Sequence, residues 1–177
     1  MKRQVIGTLL AAGIALATCA TTAMPAAAAT SGSETFRGTI VASGVSGTRT
    51  VISSVVVAKG VFRGVGRIVE VPSLPTDPDN VSRDDLVFPE GTMHLVSTTV
   101  GASFSLSPHS CLFKVTLQQT GEITGGTGQF AAATGGGGTG TVSAQGLLPR
   151  NPDGSCSTTQ LPRHEVDMIA SSGTLSF

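Results

Sequence analysis

The sequence has no tryptophan and no tyrosine, and only 12% of its 177 residues are charged. Without those two aromatics, stacking platforms for single-stranded nucleic acid or for sugar rings are poorly supplied. Charge is balanced as well as sparse, with eleven basic against eleven acidic residues. No basic stripe is left to track phosphates or an anionic membrane surface, so nucleic acid is set aside as a partner. Cysteine is scarce at three residues, and lysine is absent beyond Lys114. After residue 29 no segment carries a helical apolar stripe with caps, which argues against a helical fold.

What is present begins with an address. Lys2 and Arg3 precede an apolar run, Val5–Ala17, and Ala26–Ala29 supplies small residues before Thr30, Ser31 and Gly32. A positive start, an apolar centre and an A-x-A end predict a secretory signal peptide over 1–29, cleaved after Ala29 or a residue nearby. The apolar run is shorter than the roughly 20 residues a membrane span requires. The expected product is a secreted, extracellular protein with no membrane insertion after cleavage. Leu16-Ala17-Thr18-Cys19 approaches a lipobox, but Thr18 stands where Gly, Ala or Ser is needed, so simple cleavage is preferred to a lipid anchor on Cys19. Residues 30–177 then form a single domain of 148 residues, with nine basic against eleven acidic side chains. That length suffices for one domain with a real core.

Cys111 and Cys156 remain as an even pair in an oxidising compartment, and a disulfide is the natural reading. A metal site would need more ligands at close spacing, and a catalytic cysteine would need a histidine partner, for which His109 is the nearest candidate. No metal is expected. Short segments rich in Val, Ile, Thr and Phe follow one another: Thr35–Ala42, Val51–Ala58, Val61–Val71, Thr92–Val100, Ser103–Leu106, Leu112–Thr120, Gly140–Leu147, His164–Ser171 and Thr174–Phe177. In Leu112–Thr120, Phe113, Val115 and Leu117 alternate with Lys114, Thr116 and Gln118, the period of a strand with one buried face. Eight or nine such strands predict an all-β sandwich or barrel. Pro72–Gly91 contains Asp77, Asp79, Asp84, Asp85 and Glu90 without EF-hand spacing, and reads as a solvated acidic loop.

Ile123–Gly140, ITGGTGQFAAATGGGGTG, holds eight glycines in eighteen residues. A phosphate loop would need a Gly-Lys-Ser/Thr ending and a following helix, and a dinucleotide fingerprint would also open a helix. Thr139–Gln145 alternates like a strand instead, so the glycines are architectural. Gly125, Gly126 and Gly128 suit a reversal between antiparallel strands, Phe130 plugs the inner face, and Gly135–Gly138 permit a bulge or bend.

Gly125–Gly135, GGTGQFAAATG, resembles the GGTG-x-F-x-x-A-x-G segment of the allene oxide cyclase and dirigent superfamily. It is closer to secreted bacterial members reading GGTG-x-F-A-G-A-T-G. The resemblance covers eleven residues directly and, by strand count, extends over most of 35–177. It implies a closed or nearly closed antiparallel eight-stranded barrel with long loops and an apolar cavity, no metal or organic cofactor, and frequently a homotrimer. Better-studied members isomerise a fatty-acid epoxide or steer phenoxy-radical coupling. Dirigent proteins carry arginines where this chain has Ala131 and Thr134, and no catalytic residue transfers from the cyclases.

The remaining polar groups stand alone. Glu70 joins Phe62, Gly64, Gly66 and Ile68 if that side of its strand faces inward, and would then sit at a barrel mouth as an acid, a base or a ligand anchor. His94 is a second pocket candidate and Phe130 a third. Glu165 and Asp167 share a face that His164 does not, so the three cannot converge on a metal. Two functions stay open: a binding or structural module with a small apolar ligand, and a cofactor-free isomerase or cyclase acting on a lipid-like substrate. A cavity of several hundred cubic ångströms with Glu70 or His94 inward would favour chemistry.

Overall fold

The computed structural model describes residues 29–45 and 47–177. Residues 1–28, which hold Cys19 and nearly all of the expected signal peptide, lie outside the described residues. Eight strands follow in order: β1 Ser31–Val45, β2 Thr48–Gly60, β3 Arg63–Val71, β4 Val81–Phe88, β5 Gly91–Leu106, β6 Leu112–Gly126, β7 Gly135–Leu147 and β8 His164–Ser176. Each pairs antiparallel with the next, and β8 returns to β1, closing the barrel. Closure removes the unpaired edges that an open sheet of this length would present. Among the described residues no helix is long and apolar enough to cross a membrane.

Two segment pairs read as separate strands are single ones. Thr92–Val100 and Ser103–Leu106 belong to β5, where the register shifts between Thr99 and Gly101. That shift marks a bulge, which kinks a strand without ending it. His164–Ser171 and Thr174–Phe177 likewise merge into β8, which runs unbroken through Gly173. Val81–Phe88 corrects the acidic-loop reading: it is β4, paired with β3 and β5. Its charges are compatible with a strand because alternation sends Asp84 inward beside Leu86, and Arg83 and Asp85 outward to partners. Arg83 meets Asp77 at 2.7 and 2.8 Å, and Asp85 meets His94 at 2.7 Å.

One end of the barrel is packed shut. Phe130 is fully buried there, with ring centroids of Phe62 and Phe177 at 4.9 and 5.3 Å in edge-to-face contact. Phe88, Met93 and Leu175 complete the plug. Glycine makes room for it in the wall, since a Cβ on Gly66 would lie 2.7 Å from the Phe88 ring. The glycine-dense segment therefore serves closure. From the end of β6 the chain turns through a short 3-10 segment, Gly128–Phe130, with Gly128 at φ 59°, and enters β7 at Gly135. This is a longer reversal than a two-residue hairpin, and it carries Phe130 down into the barrel. The register shift between Gly121 and Ile123, opposite Gly138 and Gly135, places a bulge in the glycine run.

Candidate functional site

The other end of the barrel is open and charged. The C-terminal part of β3, the N-terminal part of β4 and the N-terminal parts of β2 and β8 meet there, and each contributes inward side chains. Arg49 comes from β2, Glu70 from β3, Asp84 from β4, and Glu165 and Asp167 from β8. Pairing fixes these orientations: Glu70 lies opposite Asp84, Asp167 opposite Ile40, and Glu165 opposite Ala42. Directly opposed residues in an antiparallel ladder share a face, and Ile40 and Ala42 are core residues of the inner face.

Arg49 is the hub. Its guanidinium donates to Asp167 at 2.7 Å, to Glu165 at 3.1 Å, and to Glu70. Burial alone would lower its pKa, but the charges of Glu165 and Glu70 and their hydrogen bonds outweigh that, so its proton is held more tightly than usual. One cation does not satisfy four carboxylates. Asp84 is pushed up to about 6, first by burial, then by the charges of Glu70 and Asp85, with only partial relief from Arg49. Asp167 is raised to about 7 by burial, then by a hydrogen bond with Glu165 and that residue's charge. Asp167 is only 7% exposed, and its Oδ1 has no hydrogen-bond donor among the described residues.

These groups border a cavity of about 260 Å³ whose walls include Glu70, Asp84, Asp167, Ile40, Leu117 and Ile169. A deeper cavity of about 60 Å³ adjoins it toward the plug, sharing Gln119, Val142 and Ile169. The deeper wall includes Gly138 and Gly140, whose missing side chains leave part of that space. It also includes Glu34, which is 1% exposed and accepts hydrogen bonds from the Phe62 amide at 2.9 Å and the Thr35 amide at 3.2 Å. On the outer side of Glu165 a cleft of about 380 Å³ lies between the mouth and the 148–163 loop, bordered by Phe104, Phe113, Leu148 and Pro162. The Cys111–Cys156 disulfide tethers that loop to the β5–β6 turn. The open end thus combines apolar walls with an acidic cluster short of positive charge.

The candidates from sequence separate cleanly. Glu70 lines the cavity at a strand end, beside the inward Ile68. His94 does not: its neighbours Met93 and Leu95 face inward, so its own side chain lies on the outer face with Asp85. Phe130 does not line the cavity either; it sits in the plug that closes the far end. Gly125 and Gly128 take positive φ, Gly126 ends β6, Gly135 opens β7, and none of these four lies at the acidic cluster. Among the described residues no group of three or more His, Cys, Asp or Glu could hold a metal ion. Sequence reasoning missed Arg49, the convergence of Glu70, Glu165 and Asp167 on it, and the inward Asp84 nearby. The shared parity of Glu165 and Asp167 was the one local signal, and it gave no hint of the partner.

The cluster makes stability depend on pH. An unfolded aspartate titrates near about 3.9, below the folded values of about 6 for Asp84 and about 7 for Asp167. Between those limits the folded state binds more protons than the unfolded chain, so stability falls as pH rises through the window. Asp77, held down near 2 by its hydrogen bonds from Arg83 and the Leu74 amide, acts in the opposite sense but only at lower pH. The melting temperature is therefore expected to be several degrees higher at about pH 5 than at about pH 8, and Asp84→Asn to flatten the slope. Calorimetry across that range checks this, and a melting temperature that rises toward pH 8 contradicts it.

No protein-family model, no curated protein and no solved structure matches this chain.

Proposed function

We propose that the chain is a secreted, ligand-binding β-barrel that takes a small molecule with an apolar body through its open end. The observation that carries this reading is the pair of adjoining cavities. They run from an incompletely neutralised carboxylate cluster into the barrel as far as Phe36, Leu95 and Ile123, between walls of Ile40, Leu117, Val142 and Ile169. Pockets that hold small molecules have this character, apolar walls with a few fixed polar groups. An engineered apolar cavity of about 150 Å³ admits benzene, so a volume of about 260 Å³ accommodates a somewhat larger body. The leader-like N-terminus and the disulfide support export. The GGTGQFAAATG segment motivates a place among allene-oxide-cyclase/dirigent-like barrels, with which an eight-stranded closure is compatible.

A second reading, a cofactor-free isomerase or cyclase on a lipid-like substrate, is favoured by one observation. Asp84 and Asp167 border the cavity with pKa values of about 6 and about 7, within reach of neutral pH. Groups tuned there exchange protons effectively as general acids and bases. Binding comes first in either case. Native mass spectrometry of protein purified from culture medium, with calorimetric titration of 1-octanol, tests it. A co-purifying small molecule or saturable octanol binding is expected; neither appearing overturns the reading. Exchange of solvent deuterium into a bound ligand, lost in Asp167→Asn, would mark the second reading over the first.

A further inference from the structure

We infer that the cavity selects ligands carrying a cationic nitrogen on an apolar body, an inference that rests on the ligand-binding reading above. The charges facing the cavity decide it. Arg49 is one cation shared among Glu70, Glu165 and Asp167, and Asp84 lines the same cavity. Arg83 also borders the space, but its guanidinium is engaged twice by Asp77, at 2.7 and 2.8 Å. The remaining walls of this cavity bring no further charge among the described residues, with Ile40 from β1, Leu117 and Gln119 from β6 and Val142 from β7. In the deeper cavity the Glu34 carboxylate accepts from the Phe62 and Thr35 amides. The cluster is therefore acidic overall, and among the described residues both cations that border it, Arg49 and Arg83, are already engaged.

Two carboxylates show where a donor is missing. Asp167 is 93% buried by its 7% exposure, and its Oδ1 meets no donor among the described residues while Oδ2 takes Arg49. The Asp84 carboxylate draws on Arg49 only through longer-range attraction and on no hydrogen bond. A buried carboxylate oxygen without a donor is costly, and a proton or a cation relieves it. In the free protein burial and the neighbouring Glu165 raise Asp167 to about 7, which favours a proton at that place. An alkylammonium has up to three N–H donors and no acceptor, which suits this deficit. A carboxylate ligand would meet like charge, with no unengaged cation lining the cavity among the described residues.

Because the ammonium displaces protons, its binding strengthens as pH rises toward 8, where an alkylamine of lysine-like basicity stays charged. The test uses the disulfide-bonded protein and three probes of equal chain length: octylamine, 1-octanol and octanoate, titrated calorimetrically at about pH 8 and about pH 5.5. Octylamine is expected to bind about tenfold tighter than octanol at the higher pH, and to weaken several-fold at the lower. Octanoate is expected to bind more weakly than octanol. Asp84→Asn should lower octylamine affinity about tenfold and octanol affinity by much less, so that the preference for the amine shrinks. Octanoate matching octylamine, or octanol binding as tightly as octylamine, overturns the selectivity and leaves the binding reading standing. Failure of all three probes to bind overturns both. The wild-type comparison of the three probes stands whether or not the variant folds.

Discussion

Phe130→Ala is expected to cost about 4 kcal/mol and to lower the melting temperature by about 10 °C. Phe130 is fully buried between Phe62 and Phe177, with Phe88 at a centroid distance of 6.0 Å. Truncation removes the apolar area of one ring and the edge-to-face contacts of its neighbours. It also leaves a void, because the surrounding rings are held by separate strands: Phe62 stands just before β3, Phe88 ends β4 and Phe177 follows β8. The walls cannot collapse together, which is the condition for a full cavity penalty. Phe104 provides the contrast. It is 60% exposed at the mouth, and Phe104→Ala is expected to change stability by less than about 1 kcal/mol. Chemical denaturation of the two variants checks the pair; equal losses would mean that Phe130 is not the plug.

Loss of the disulfide is expected to cost a similar amount. Cys111 and Cys156 are joined across 45 residues of sequence, and constraining such a loop in the unfolded chain stabilises the fold by about 4 kcal/mol in the chain-entropy model. The bridge also holds the 148–163 loop over the mouth, through a Cys111 that is fully buried in a small cluster with Phe113 and Leu148. The Cys111→Ser/Cys156→Ser double variant should therefore lose both stability and the cleft beside Glu165. Denaturation with and without reductant measures the first loss. A change of less than about 1 kcal/mol would show that the tether contributes little. Free thiols in protein taken from culture medium would show that the bridge is not formed.

Local patterns revealed much of the barrel and little of its mouth. Phe113, Val115 and Leu117 alternate so regularly because β6 is paired on both sides along its length and has one face inside. The glycine run announced curvature because only residues without side chains allow strands and rings to approach so closely. β4 was hidden because VSRDDLVF places three charges in mid-strand after a proline-rich loop. What those charges meet is tertiary: Asp77 for Arg83, His94 for Asp85, and for Asp84 the cavity, where it keeps no hydrogen-bond donor among the described residues. Arg49 had no local signature at all. Its partners lie 21, 116 and 118 residues away in sequence; β2–β3 pairing brings Glu70, and only closure of β8 onto β1 brings Glu165 and Asp167. Glu70 was legible because parity along β3 set it with Ile68. His94 misled because it sits between the two inward residues Met93 and Leu95 of the same strand.

The most direct test of the binding cavity is methyl NMR during titration with 1-octanol, using side-chain assignments for Ile40, Leu117, Val142 and Ile169. Those four methyl sets, which wall the cavity, are expected to shift together and saturate, while the exposed Val65 and Val100 on the outside stay still. Shifts confined to the outer valines, or none at all, would contradict a ligand inside the barrel.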